Sequence, residues 1–337
     1  MGSITVSRRA MLAGFSAGCA AIALEIPLLA QAGGAFPFKF AGFTKQNLQG
    51  PSIALASYQL TFFTAHQSTA VSDVAVRSRL TATLAGIDEA DMRALIEEAY
   101  ADLKAKLSAA GLALLPADQV KAAVTAAGGR FAPDNRDLKG IGAGITIGKS
   151  VRKAYAAFGA AEAPLIEGLN SPVPGNAFGV LGGIGKLNQL SGISKQHNAL
   201  VVAPSLVIDF ADSDAKTGSD FLGRKVAMTS SDVAFTVVSS SKVNLMTPFS
   251  GGKFTSPGAM SLTKDYKVAT PFATVAVGEG KVRALSVKRV VDSNYSVNDT
   301  ARGDVVEVNL PVWQGLVRDA YRAFNSALVA ELAKGKK

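Results

Sequence analysis

The sequence predicts an α+β protein: an N-terminal β-α-β unit, a Gly-rich irregular middle, and an antiparallel sheet closed by a C-terminal amphipathic helix. Three observations lead to this fold class. One strongly periodic helix lies between two short apolar runs, several alternating segments fill the second half, and another periodic helix ends the chain. Hydrophobic residues make up 48% of the 337 residues and charged residues 18%, so the chain can bury a sizeable core.

The predicted β-α-β unit lies within residues 51–127. Its first strand runs from Ile53 to Phe63 and is rich in β-forming residues. Asp88 is expected to cap the next helix by accepting a hydrogen bond from a backbone N–H near Asp91, and Gly111 supplies a left-handed end. The apolar stripe of this helix consists of Met92, Leu95, Ile96, Ala99, Leu103 and Leu107.

A short apolar strand from Leu112 to Leu115 completes the unit, and Pro116 ends it. A crossover helix of this length usually joins parallel neighbouring strands. Asp118 is predicted to cap a further helix through Val124. This order of elements resembles the small α/β domains of periplasmic assembly proteins, such as the curli-secretion lipoprotein and the N-terminal domain of the Tol-system propeller protein. The resemblance rests on the pattern of elements and carries over no functional residue.

The composition then changes, because Gly and Pro are frequent in residues 128–192. This predicts an irregular insertion with one helix from Lys149 to Ala161. Residues 193–337 are predicted to form the antiparallel sheet and a last helix, which begins at Pro311 and includes Phe324 in its apolar stripe. The predicted strands of the sheet are Leu200 to Phe210, Lys225 to Val238, Lys242 to Met246, Phe272 to Val277, Lys281 to Val291 and Val305 to Val308.

Residues 1–32 have the three parts of an export signal. Arg8 and Arg9 precede a mildly apolar, glycine-bearing run, and cleavage is expected after Ala32. The paired arginines resemble the twin-arginine signal, which implies export of a folded protein to the bacterial periplasm. The alternatives are a general secretory signal, a membrane anchor, and a lipoprotein signal that would use Cys19.

Residues 33–50 show no clear period and are predicted to be a linker, with ordered structure from Pro51. After the signal, the chain has a net charge of +8 and no cysteine. Disulfides and thiolate chemistry are therefore excluded, while anionic lipid headgroups, acidic polymers or an envelope protein are expected partners. The low aromatic content argues against nucleic acid, and no later segment has the length of an apolar membrane helix.

Several sequence motifs associated with chemistry are interpreted as chance matches. Residues 143–150 fit the loosest phosphate-binding loop, but the segment before them is polar where a buried strand is needed. Ser150 with Lys153, and Lys216-Thr217-Gly218, resemble motifs of the penicillin-interacting serine enzymes, but no Ser-x-Asn element lies between them and Lys216 is expected in a turn. Ser239 and Lys242 repeat the first of these patterns.

His66 and His197 are the only histidines and are far apart in the sequence. A catalytic triad would need one of them against a buried carboxylate and an exposed serine. Asp212, Asp214 and Asp220 are placed in a loop whose spacing fails the EF-hand pattern, and hairpin-turn chemistry explains them. No catalytic, cofactor-binding or metal-binding residue is therefore assigned.

We expect an exported, non-enzymatic periplasmic protein that binds or scaffolds a cell-envelope component. The alternatives are a serine-type hydrolase of envelope material and a small-molecule carrier. A pocket that holds a histidine against a serine and a carboxylate would favour the hydrolase, whereas an apolar cavity under the last helix would favour the carrier.

Overall fold

A computed structural model shows a mixed α/β protein that is mostly sheet. The sheet is large and open. The structure describes residues 36–41, 48, 52–73, 76–133, 141–146, 149–170, 190–219, 225–249, 254–277, 289–292 and 298–334.

The sheet is mixed, with both parallel and antiparallel pairs. Strands β7 to β14 pair with one another only in antiparallel fashion within the described residues. The parallel pairs are β2 with β7, β3 with β7, and β4 with β14, and each joins an early strand to a late one. The strands are β1 (Phe38–Ala41), β2 (Ser52–Leu55), β3 (Gln59–Asp73), β4 (Val76–Ala85), β5 (Ile141–Thr146), β6 (Lys149–Gly159), β7 (Ala199–Ser219), β8 (Lys225–Val237), β9 (Lys242–Phe249), β10 (Phe254–Leu262), β11 (Tyr266–Val268), β12 (Ala273–Val277), β13 (Arg289–Asp292) and β14 (Asn298–Val308).

Helices cover both faces of the central strands. Because side chains alternate along a strand, Ile53 and Leu55 pack into one core cluster while Ala54 and Ala56 pack into another. The first cluster contains the apolar stripes of α1 and α4, and the second contains buried residues of α2 and α3. The helices are α1 (Glu89–Ala109), α2 (Ala117–Ala126), α3, whose described part is 190–197, and α4 (Leu310–Lys334).

The ends of α1 agree with the sequence analysis, but the start of α2 does not. The Asp88 carboxylate accepts from the backbone N–H of Asp91, and the Asp91 carboxylate accepts from that of Asp88. Gly111 has a φ of +65°, and all six predicted stripe residues are buried. Pro116 stands at the N-cap of α2, and Asp118 lies inside its first turn without capping it.

The helix predicted from Lys149 to Ala161 is wrong, because this segment forms β6. Its residues pair with β3 along almost the whole strand, from Gln59 opposite Gly159 to Ala70 opposite Lys149. This distant pairing overrides the helix preference of an alanine-containing run. At Gly159 an added Cβ would lie 2.4 Å from the backbone nitrogen of Leu165, so no side chain fits there.

Three local predictions near the N-terminus need correction. Residues 33–50 contain β1, which pairs with β10, so ordered structure begins before Pro51. The run from Ile53 to Phe63 forms two strands, because Ala56 to Tyr58 interrupts it. The predicted strand from Leu112 to Leu115 is reduced to one parallel bridge, between Leu114 and Ile53, so only the parallel orientation is as predicted.

The later strands are more numerous and longer than predicted. The strands β7, β9 and β14 all extend beyond their predicted bounds, and β10 and β11 were not predicted. Most of the segment from Lys281 to Val291 lies outside the described residues, which include only its last part, in β13. Strand β10 was not predicted because its Pro and Gly residues indicate a turn in the sequence.

Helix α4 packs its apolar stripe into the main core. Phe324 is fully buried, and its ring meets that of Phe38 edge to face at a centroid distance of 5.5 Å. On the same helix, the Asn325 side chain accepts a hydrogen bond from the Tyr58 hydroxyl and donates to the backbone oxygen of Ala99 in α1. The apolar stripe of α4 is therefore part of the hydrophobic core of this protein.

Candidate functional site

The strands β3 and β7 separate at one position of the sheet. They pair in parallel only from Gln59 opposite Ser205 to Phe62 opposite Ile208. Just beyond, Thr64 forms a bulge against β6, and β8 carries an extra residue opposite Phe210. From there β4 pairs with β3, while β7 continues with β8.

The separated strands form a two-layer arm, with β3, β4 and β6 in one layer and β7 and β8 in the other. Most of its described inward-facing apolar side chains are alanines, and Leu80 is a larger one. Ala70, Ala215 and Ala227 form the arm's apolar cluster, which includes no helix residue, and Val151 packs against it. The arm consists of residues 65–73, 76–81, 149–154, 211–219 and 225–232.

A buried polar cluster lies at the base of the arm, where the layers separate. His66 Nε2 lies 2.8 Å from Asp209 Oδ1, and His66 Nδ1 lies 3.0 Å from Ser213 Oγ. The ammonium of Lys153 donates to Asp209 Oδ2 at 2.7 Å, and Ser213 Oγ lies 3.1 Å from Ser231 Oγ. We name these five residues the His66 cluster.

Asp209 is the anionic centre of the cluster. Its residue exposure is only 3%, and its Oδ1 accepts from the backbone N–H groups of Phe210 and Ala211. Burial alone would raise the pKa of this carboxyl, but the adjacent His66 ring and Lys153 ammonium outweigh burial and lower the pKa. Asp209 is therefore ionised near neutral pH.

His66 is held between aromatic rings as well as polar groups. Its ring centroid lies 5.9 Å from that of Phe63 and 5.0 Å from that of Phe210, and the residue is 1% exposed. Although Nε2 is close to Asp209, its N–H direction is not aligned for a hydrogen bond with that oxygen. The contact is a close polar pair rather than a well-formed hydrogen bond.

Asp209, His66 and Ser213 are the residue types of a serine hydrolase triad, and they contact one another in that order. Such a site needs a serine oxygen that substrate can reach and a base that can pass its proton to a leaving group. Here the His66 ring is enclosed, and Ser213 faces Ser231 between the two layers. Asp209 also neutralises Lys153. The arrangement suits the joining of two layers better than acyl transfer.

The predicted phosphate-loop and serine-lysine matches lie on strands. The described part of the phosphate-loop match lies at the end of β5 and the start of β6, so a strand rather than a helix follows it. Ser150 and Lys153 both lie on β6, so they are not one helical turn apart as the serine-lysine motif requires. Lys216-Thr217-Gly218 lies on β7, so its predicted turn location is wrong. The turn signals of neighbouring Asp and Ser are overridden there by pairing with β8.

The acidic residues weighed as a calcium loop lie on a strand. Asp212 and Asp214 lie on one exposed face of β7, where they form ion pairs with Lys267 and Lys216, respectively. The predicted loop location is wrong for both, and Asp220 lies outside the described residues. In the described part of the chain, no group of three acidic, His or Cys side chains is placed to hold a metal ion.

The remaining candidates lie apart from the His66 cluster. His197 Nδ1 lies 3.2 Å from the side-chain nitrogen of Gln119 in α2. Ser239 lies in the turn before β9, and burial lowers the pKa of Lys242. A half-open cavity of about 450 Å³ lies beside β8, β11 and β12, rather than beneath α4.

Comparison with models of protein families, with curated proteins and with solved structures finds no match. None of the described helices is both long and apolar enough to cross a membrane.

Sequence patterns place His66 and Lys153 in separate candidate sites and do not select Asp209, Ser213 or Ser231. One signal was available, because Asp209 interrupts the apolar run from Leu206 to Phe210. A charged residue in such a run is rarely buried without a partner. No local pattern in the sequence indicates that the partner is His66, 143 positions earlier.

Proposed function

We propose that this chain is an exported, non-enzymatic periplasmic protein that binds or scaffolds a cell-envelope component through the arm. The observation that carries the proposal is the extension of paired strands beyond the helix-covered sheet. β7 alone has 21 residues, about 70 Å of extended chain. A long β surface with polar outer positions offers a macromolecule many contacts.

The side chains of the arm support a binding role. On β7 the inward positions Ala211 and Ala215 are buried, whereas Asp212, Asp214 and Lys216 are exposed. Charged groups of both signs therefore lie on the outer face. Such a surface gives specificity through charge complementarity, and the basic balance of the chain favours an acidic protein partner.

The experiment is photo-crosslinking in cells of the native source. A photoreactive residue is placed at Asp214, on the exposed face of the arm, or at the exposed Ala101 of α1 as the matched control. We expect a discrete adduct with an exported protein from position 214 only, abolished when the exposed Lys216 is changed to Glu, because this change repels an acidic partner. Equal adducts from both positions, or none from 214, would contradict the proposal.

A second candidate function is a serine-type hydrolase of envelope material, which is favoured by the contacts from Asp209 through His66 to Ser213. A fluorophosphonate probe distinguishes the two functions, because it labels an activated serine covalently. If the chain is a non-enzymatic binding protein, we expect the purified protein to stay unlabelled. Labelling that is lost in Ser213→Ala and His66→Gln but kept in Ser231→Ala would establish the hydrolase.

A further inference from the structure

Among the described residues, the two layers of the arm have no backbone pairing with each other beyond its base. The last paired residues of β3 and β7 are Phe62 and Ile208. Farther out, β3 pairs with β4 and β6, and β7 pairs with β8. Contact between the layers therefore depends on side chains.

The apolar side chains between the layers are mostly small. Ala70, Ala215 and Ala227 each bury a single methyl group, and Leu80 adds one larger buried side chain. Ser68 is buried, and its hydroxyl has no hydrogen-bond partner among the described residues. By contrast, the helix-covered core buries Phe62, Trp313 and other large side chains. Because hydrophobic stabilisation scales with buried apolar area, the arm interior is weakly held by this effect.

The His66 cluster supplies a stronger tie at this point. It joins four strands, through His66 of β3, Lys153 of β6, Asp209 and Ser213 of β7, and Ser231 of β8. The Lys153 side chain is 33% exposed, so water reaches it, whereas Asp209 is enclosed. Separating the layers moves the buried carboxylate into water and breaks together the contacts that His66 and Lys153 make with β7, while the Ser213–Ser231 contact lies within one layer.

We propose that the His66 cluster is a latch that holds the two layers of the arm together, and that the arm opens as a unit while the helix-covered part stays folded. Opening exposes the inward faces of β3 and β7, which are otherwise closed to other molecules. This inference does not depend on the partner or on the proposed binding role.

Hydrogen exchange of the wild-type protein at increasing urea tests the latch directly. We expect amides in residues 211–219 and 225–232 to exchange through an opening with a smaller urea dependence than that of α1 amides, because less surface is exposed. If arm and α1 amides share one opening energy and one urea dependence, the arm does not open separately and the proposal fails.

A pair of variants tests whether the His66 cluster is the latch. Asp209→Asn removes the charge at its centre, while Asp214→Asn removes an exposed charge from the same strand. We expect about tenfold faster arm exchange in Asp209→Asn, still with the smaller urea dependence of the arm opening, and no change in Asp214→Asn. Unchanged arm exchange in Asp209→Asn, or an equal acceleration of the arm in Asp214→Asn, would overturn the assignment.

Discussion

Asp209 shows how a single residue can depend on the whole sheet. In sequence it is a carboxylate in an apolar strand, and its burial would be strongly unfavourable without partners. In the structure two backbone N–H groups, the His66 ring and the Lys153 ammonium surround it. Its contribution to stability therefore belongs to the cluster rather than to any one contact.

Replacing Asp209 by Ala should destabilise the protein by about 3 kcal/mol, because it leaves a partly buried ammonium and two amides without their acceptor. Asp214→Ala is the matched control, since Asp214 likewise accepts from the next backbone N–H and pairs with a lysine, but is exposed. The control should change the unfolding free energy by less than about 0.5 kcal/mol. Urea unfolding measures both, and equal losses would show that burial of Asp209 is unimportant.

The same residue predicts a pH dependence. The pKa of Asp209 is lowered by folding, so its contribution is fully present above the unfolded-state pKa of about 3.9 and is lost as pH falls through the folded-state value. The stability difference between wild type and Asp209→Ala should therefore shrink as pH falls below about 4. A difference that grows below about pH 4 would contradict the lowered pKa.

At the scale of elements, helix ends and helix faces follow local rules unless neighbouring residues intervene. Asp88 lies three positions before its capping partner and forms the expected box. Asp118 has the right residue type, but Pro116 takes the N-cap position before it. The two helices thus provide a comparison of capping and non-capping aspartates.

Asp88→Ala should cost about 1 kcal/mol, because the backbone N–H of Asp91 loses its acceptor at the start of α1. Asp118→Ala should cost less than about 0.5 kcal/mol, since it removes only an exposed first-turn charge and its ion pair with Lys121. Thermal unfolding of both variants provides the measurement. A larger loss for Asp118→Ala would mean that this carboxylate does cap α2.

Phe324→Ala should cost about 3 to 5 kcal/mol, because the ring is fully buried against the sheet and leaves a cavity. Arg322→Ala, on the exposed side of the same helix, is the control and should stay within about 0.5 kcal/mol of wild type. Chemical denaturation compares them. A stable Phe324→Ala protein would show that α4 is not core.

At the scale of the whole molecule, the helix-covered sheet and the arm differ in what stabilises them. The sheet lies between helices whose large apolar side chains fill two clusters. The arm is stabilised by strand pairing, by mostly small buried side chains and by the His66 cluster. Export in the folded state would deliver both parts already assembled.

Changing Arg8 and Arg9 to Lys should leave the precursor in the cytoplasm, because the proposed twin-arginine route reads the arginine pair. Cell fractionation with an antibody to the chain is the measurement. The matched control changes Lys39 to Arg, outside the signal. If the double-lysine variant reaches the periplasm in undiminished amount, this route is ruled out. Residues 1–32 lie outside the described structure.

The sequence by itself determined the broad mixture of helices and strands, the capped helix α1, the apolar stripe of α4 and the antiparallel character of the later strands. These features depend on residues within a few positions of one another, where spacing, caps and alternation act directly. Tertiary structure decided that Lys149 to Gly159 is a strand, that β1 pairs with β10, and that His66 meets Ser213 across 147 positions. Such contacts form because distant strands bury surface and satisfy backbone groups together, which no local pattern encodes.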